Sequence, residues 1–130
     1  DDPEPTIAAD YYITDFSSRE FEGQDLDVAA PGSWIVGPYQ LTSASNAQSY
    51  YFLGGTSMAS PHVAGLVALM AQKNNALTAA EAEMLLEGTA LPLTTGCITD
   101  PYDGVTPICW DADATGAGLV QADAVLDAMP

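Results

Sequence analysis

The stretch Gly54-Gly55-Thr56-Ser57-Met58-Ala59-Ser60-Pro61-His62-Val63-Ala64-Gly65 decides how this chain is read. Two glycines lead into a serine, and an apolar segment runs behind it from Val63 to Ala71. That pattern predicts a turn delivering a hydroxyl to the start of a buried helix. The N–H groups of a helix's first turn lack intrahelical acceptors, and negative charge is stabilised there. Such a backbone donor is one half of an oxyanion hole. Ser57 is therefore a candidate nucleophile. A serine at this place also suits a plain helix N-cap.

Working outward, Tyr50 to Leu53 predicts a short aromatic strand feeding the Gly-Gly turn. The helix behind Ser57 is apolar on every face, so other layers must wrap it. Pro61 has no N–H, which removes the usual partner of the Ser57 carbonyl. Regular helix is therefore expected to begin after the serine. Lys73 and Asn74-Asn75 end it. Thr78-Ala79-Ala80-Glu81 is a capping box that opens a second helix to about Glu87. Gly118 to Met129 reads as a third helix. Upstream, Thr6 to Phe16 reads as a strand and 17–25 as a loop. Leu26 to Ala30 reads as a buried strand ended by Pro31-Gly32, with Trp34 to Val36 extended beyond it. Thr42 to Ser49 reads as a polar loop. Residues 1–5, with two prolines and three acids, read as an exposed lead-in or linker before a unit spanning 6–130. That opening is not a leader peptide in composition, so an exported chain would have its leader upstream or removed.

The 130 residues suit one domain, and 48% hydrophobic content allows a sizeable core. The charge is extreme. Eighteen acidic residues face two basic ones, for a net charge of −16. Small soluble domains usually carry a magnitude of about 2–8. Nucleic acid and anionic membrane surfaces would repel such a chain, so neither is an expected partner. The balance suits high salt, where self-repulsion is screened; the plainer reading is that the acidic residues simply solvate an enzyme's surface. Val63 to Ala71 is far shorter than the roughly 18 apolar residues of a membrane span.

Other segments bear on the family. Gly55 to Gly65 resembles, over eleven consecutive residues, the nucleophile segment of subtilisin-like serine proteases. Phe16-Ser17-Ser18-Arg19 and Asp25-Leu26-Asp27-Val28-Ala29-Ala30-Pro31-Gly32 resemble the segments that precede it. Gly116-Ala117-Gly118-Leu119-Val120-Gln121-Ala122 resembles the turn and helix that close the catalytic domain. The resemblance covers about Tyr12 to Ala128 and is absent between Pro92 and Ala114. It implies an α/β fold, the C-terminal portion of a three-layer sandwich with a mainly parallel sheet. It implies a secreted endopeptidase acting on polypeptide through an acyl-enzyme on Ser57. The family's Asp motif, His motif and oxyanion Asn do not occur here, so an upstream part of the same domain is the implied partner.

The resemblance also places Gly54, Gly55 and Met58 on the side that receives the leaving half of the substrate. Thr56 and Gly55 offer substrate-side backbone, since glycine lets a peptide approach closely. Met58 also suits plain packing. His62 is the only histidine. Five helical residues at about 100° each turn it roughly 140° away from Ser57, so it does not suit the base; the resemblance makes it structural. Asp10, Asp15, Asp25 and Asp27 lie in no motif for the orienting acid.

Cys97 and Cys109 bracket eleven residues rich in turn formers, and in an exported protein they suggest one disulfide. Two free thiols are the alternative, and two cysteines alone offer too few ligands for structural zinc. Asp100, Asp103, Asp111 and Asp113 could offer oxygens to calcium, but their spacing fits no EF-hand. No cofactor is required for the implied chemistry. Structural calcium is common in the family, at segments not placed in this chain.

Two other functions compete. One is a non-catalytic homologue or acidic binding segment, against which the intact nucleophile motif counts. The other is an α/β-hydrolase, whose elbow also joins strand, Gly-x-Ser and helix. That elbow needs glycine where Ala59 stands, and a histidine after the acid; none follows His62.

Overall fold

The computed structural model describes residues 5–38 and 50–130. Strand β1 (Ile35–Pro38) pairs antiparallel with β2 (Tyr50–Leu53), Ile35 facing Leu53. Helix α1 (Thr56–Lys73) follows at once, then α2 (Ala79–Thr89). A second hairpin joins β3 (Gly96–Thr99) to β4 (Pro107–Trp110), with Cys97 opposite Cys109 and bonded to it as a disulfide. Helix α3 (Ala122–Ala128) comes last.

The main core lies between the three helices. Leu66 and Met70 of α1, Ala82 and Leu86 of α2, and Val125 and Met129 at α3 are buried together. Val63 and Val67 pack against them, so 63, 66, 67 and 70 form one stripe at helical spacing. The opposite side of α1 is open among the described residues: Ala64, Ala68, Leu69 and Ala71 are exposed. The expected wrapping on every side is not present there. A smaller core joins Ile13, Ile108, Trp110 and Ala114.

Three segments meet at Leu119. It exchanges both backbone hydrogen bonds with Leu91 at 2.8 Å each. Its neighbours bond Ala29: the Ala29 N–H donates to Gly118 at 2.8 Å, and Val120 donates to the Ala29 carbonyl at 2.9 Å. Gly118 sits at φ 133°, and a Cβ there would lie 2.1 Å from the Leu91 carbonyl oxygen. Only glycine allows that approach.

Several expectations need correction. Thr6 to Phe16 is not a strand; it holds a single 3-10 turn at Ala8–Asp10, and Ile13 is its buried residue. Leu26 to Ala30 pairs only through Ala29, in an isolated parallel bridge to Leu119. Both two-stranded sheets among the described residues are antiparallel. Trp34 is not extended; its φ is 57°. Helix α1 begins at Thr56, before Ser57, with Pro61 inside it. The Gly55 carbonyl holds that start, accepting the Met58 N–H at 2.9 Å and the Ala59 N–H at 3.4 Å. Pro61 then costs only one bond near the end, and its fixed φ suits a helix. The third helix is shorter than expected because 118–120 is committed to the ladder with Ala29 and Leu91. The loop expected at Thr42 to Ser49 lies outside the described residues.

Thr78 caps α2 with both halves of the capping box formed. Its N–H donates to Glu81 Oε2 at 2.9 Å and its hydroxyl does so at 2.8 Å. These bonds hold the Glu81 carboxyl below its ordinary value, the backbone bond first. A depressed carboxyl pKa contributes stability that is present above the unfolded value and lost as pH falls through the folded one. Thr78→Ala in the full-length protein should cost about 1 kcal/mol at neutral pH, the usual value of such a cap. Urea unfolding should show the gap between the two proteins narrowing once the pH drops below the ordinary glutamate range. A gap constant down to strong acid would count against the bond from the Thr78 hydroxyl to the Glu81 carboxylate.

Both basic side chains of the chain join distant segments. Lys73 Nζ, at the end of α1, donates to the carbonyls of Leu126 (2.6 Å) and Met129 (3.2 Å) at the end of α3. Arg19 lies 3.5 Å from the Asp113 carboxylate and donates to the Cys109 carbonyl at 3.4 Å.

Candidate active site at the start of helix α1

Gly55 sets the geometry. Its φ of 152° is one that side-chain-bearing residues rarely adopt. Its N–H donates to the Gly32 carbonyl at 2.7 Å, which fastens the turn to the segment after Pro31. The chain can then enter α1 directly, with Thr56 and Ser57 in the first turn. Ser57 is exposed there. Its hydroxyl has no hydrogen-bond partner among the described residues, and no backbone carbonyl among them accepts its N–H. An exposed hydroxyl beside an outward N–H can attack a carbonyl and hold the resulting oxyanion.

Of the expected substrate-side residues, Gly54 and Thr56 are exposed and Gly55 and Met58 half-buried. The Met58 carbonyl is taken by His62, whose Nδ1 lies 2.8 Å from it. A carbonyl only accepts, so Nδ1 carries the proton. The ring is thereby turned onto its own helix, one turn along.

The four upstream aspartates are dispersed. Asp10 is in the 3-10 turn, Asp25 is exposed, and Asp15 lines a cleft beside Gly54. The carboxylate of Asp27 lies instead within 4.8 Å of those of Glu83 and Glu87 on α2. The acids of the Cys97–Cys109 hairpin do not converge either. Asp103 accepts from the Thr106 hydroxyl and from the N–H groups of Thr106 (2.8 Å) and Val105 (2.7 Å). Those bonds, the Thr106 hydroxyl first, hold its carboxyl low. Asp113 is paired with Arg19.

The cleft beside Gly54 was not expected from the sequence. Its volume is about 390 Å³, and its lining includes Asp15, Phe16, Trp34, Phe52, Asp100 and Tyr102. The hairpin between β3 and β4 reaches it with Asp100 and Tyr102. Two cysteines at this spacing signalled a closed loop, but not where the loop docks.

The Subtilase family model matches residues 7–122. Among curated relatives, an Extracellular protease of Xanthomonas campestris is 41% identical over 82% of this chain. Alkaline serine exoprotease A of Vibrio alginolyticus is 38% identical over 70% of it. Fervidolysin of Fervidobacterium pennivorans is 35% identical over 92% of it. The chain spans 16% or 17% of the length of each of these three. A family-model match over nearly the whole chain means that the chain belongs to the subtilase family.

Proposed function

We propose that this chain carries the nucleophile of a secreted serine endopeptidase. The observation that carries the reading is the exposed Ser57 in the first turn of α1, delivered by Gly55, within a subtilase match. The Ser57 hydroxyl oxygen attacks a peptide carbonyl, and its proton passes to the imidazole of a histidine outside this chain. The Ser57 N–H donates to the oxyanion, beside an asparagine that is also outside the chain. The amine half leaves with the proton, and water hydrolyses the acyl-enzyme. Gly54, Gly55, Thr56 and Met58 border the bound polypeptide. The upstream part also supplies the orienting aspartate and most of a parallel sheet, completing the three-layer sandwich. Only Ala29 and Leu119 pair in parallel among the described residues. The Cys97–Cys109 bridge suits an oxidising compartment, and the Xanthomonas relative is named extracellular.

The test is covalent labelling of the full-length protein with a fluorophosphonate, followed by peptide mapping. The adduct is expected on Ser57. Absence of labelling on folded protein would favour a non-catalytic homologue.

A further inference from the structure

We propose that the cleft beside Gly54 is a subsite for a cationic side chain, lysine or arginine, on the leaving half of the polypeptide. The proposal rests on the proposed reading of Ser57 as the nucleophile, with Gly54, three residues before it and in the cleft's lining, on the side of the leaving half. Two carboxylates, Asp15 and Asp100, line the cleft. The whole chain has two basic side chains, and both are engaged elsewhere: Arg19 at Asp113, and Lys73 at the end of α3. Among the described residues, the cleft's carboxylates therefore have neither of the chain's two basic side chains beside them. Net charge of −16 adds a field that draws cations to the surface.

The walls suit the same guest. Trp34, Phe52 and Tyr102 are 53%, 67% and 83% exposed. Trp34 meets Phe52 edge-on at 6.2 Å between ring centroids and lies 6.4 Å from Tyr102. Aromatic faces attract ammonium and guanidinium groups, and the apolar stem of such a side chain covers apolar wall. Trp34 holds this place at φ 57°, an uncommon conformation for a bulky residue. Strain of this kind persists where surrounding structure over-determines it, and clusters at ligand sites. The hairpin wall is fixed from within. The Asp100 N–H donates to the Thr106 carbonyl at 2.7 Å, and Asp100 Oδ1 accepts the Tyr102 N–H at 2.8 Å. Asp100 Oδ2 is left for a guest. The disulfide at the hairpin's base closes the frame.

The experiment uses the full-length protein and internally quenched peptides. Each pair differs at one leaving-half position, the first, second or third, where it carries lysine or its uncharged counterpart norleucine. At one position lysine should raise kcat/KM by about tenfold at low salt. The ratio should fall toward one in about 1 M sodium chloride. In the double variant Asp15→Asn/Asp100→Asn the ratio should collapse at low salt too. Because the ratio is taken within each protein, partial loss of folded enzyme cancels. A ratio near one at all three positions, or one unchanged in the double variant, overturns the proposal. Calorimetry on Ser57→Ala with the matching tripeptide amides separates this claim from the nucleophile's. Tighter binding of the lysine peptide, lost in Asp15→Asn/Asp100→Asn, supports the subsite even if Ser57 performs no chemistry. Equal binding of the two peptides rejects it.

Discussion

Ser57→Ala in the full-length protein is expected to lower turnover by about six orders of magnitude, the cost known for the nucleophile of a subtilisin. His62→Ala, five residues on in the same helix, should change it by less than about tenfold. The contrast follows from where the two side chains point. Ser57 is exposed in the first turn, with its hydroxyl unpaired among the described residues. The His62 ring is held on the Met58 carbonyl through Nδ1. A general base contributes about 10²–10⁴ in rate, so its loss would be plain. His62→Ala should instead loosen the start of α1, where Pro61 already leaves the Ser57 carbonyl without its helical donor. Turnover per active site, counted by burst titration, separates lost chemistry from lost protein. Loss of turnover in folded His62→Ala as complete as in Ser57→Ala would show that His62 takes the proton.

What could be read in advance was local chemistry. The Thr78 to Glu81 box is formed because both partners lie within four residues of each other. The Gly54-Gly55 turn into Ser57 is likewise local: positive φ at Gly55 and a first-turn serine need no distant partner. The Cys97 and Cys109 pair could be read because loop closure depends on spacing and turn formers. Pairing across the chain could not. Ile7, Tyr11, Tyr12, Ile13 and Phe16 look strand-forming, yet a strand needs a partner, and this segment bends through Ala8–Asp10. Leu119 looked like the start of a helix. Its three-way meeting with Ala29 and Leu91 depends on residues 28 and 90 positions away. The cleft was hidden for the same reason. Asp15, Trp34 and Asp100 come from three separate segments, and nothing near any of them signals the others.

Residues 1–130 expressed alone are expected to show no Ser57-dependent hydrolysis and fast hydrogen exchange in α1. The chemical reason is that the proposed base lies upstream: the chain's single histidine is held on the Met58 carbonyl. The physical reason is the open side of α1. Leu66 and Met70 are buried, but Leu69 is 48% exposed, and Ala64, Ala68 and Ala71 lie open beside it. Val36 and Met84 are exposed elsewhere on the surface. Burying such a large apolar side chain fully gains about 1.5–3 kcal/mol, while whole domains are stable by only about 5–15 kcal/mol. A few uncovered side chains of this size are therefore comparable with the entire margin. The antiparallel pairs β1–β2 and β3–β4 are also marginal as isolated two-stranded sheets. In the longer protein, with the proposed upstream layers present, the α1 amides should become protected, and hydrolysis should appear and depend on Ser57. Hydrogen exchange and cleavage of a quenched peptide, measured on both proteins, decide the matter. Slow α1 exchange in the isolated segment would show that its own residues suffice to cover the helix. Ser57-dependent cleavage by that segment would mean that a base lies within these 130 residues.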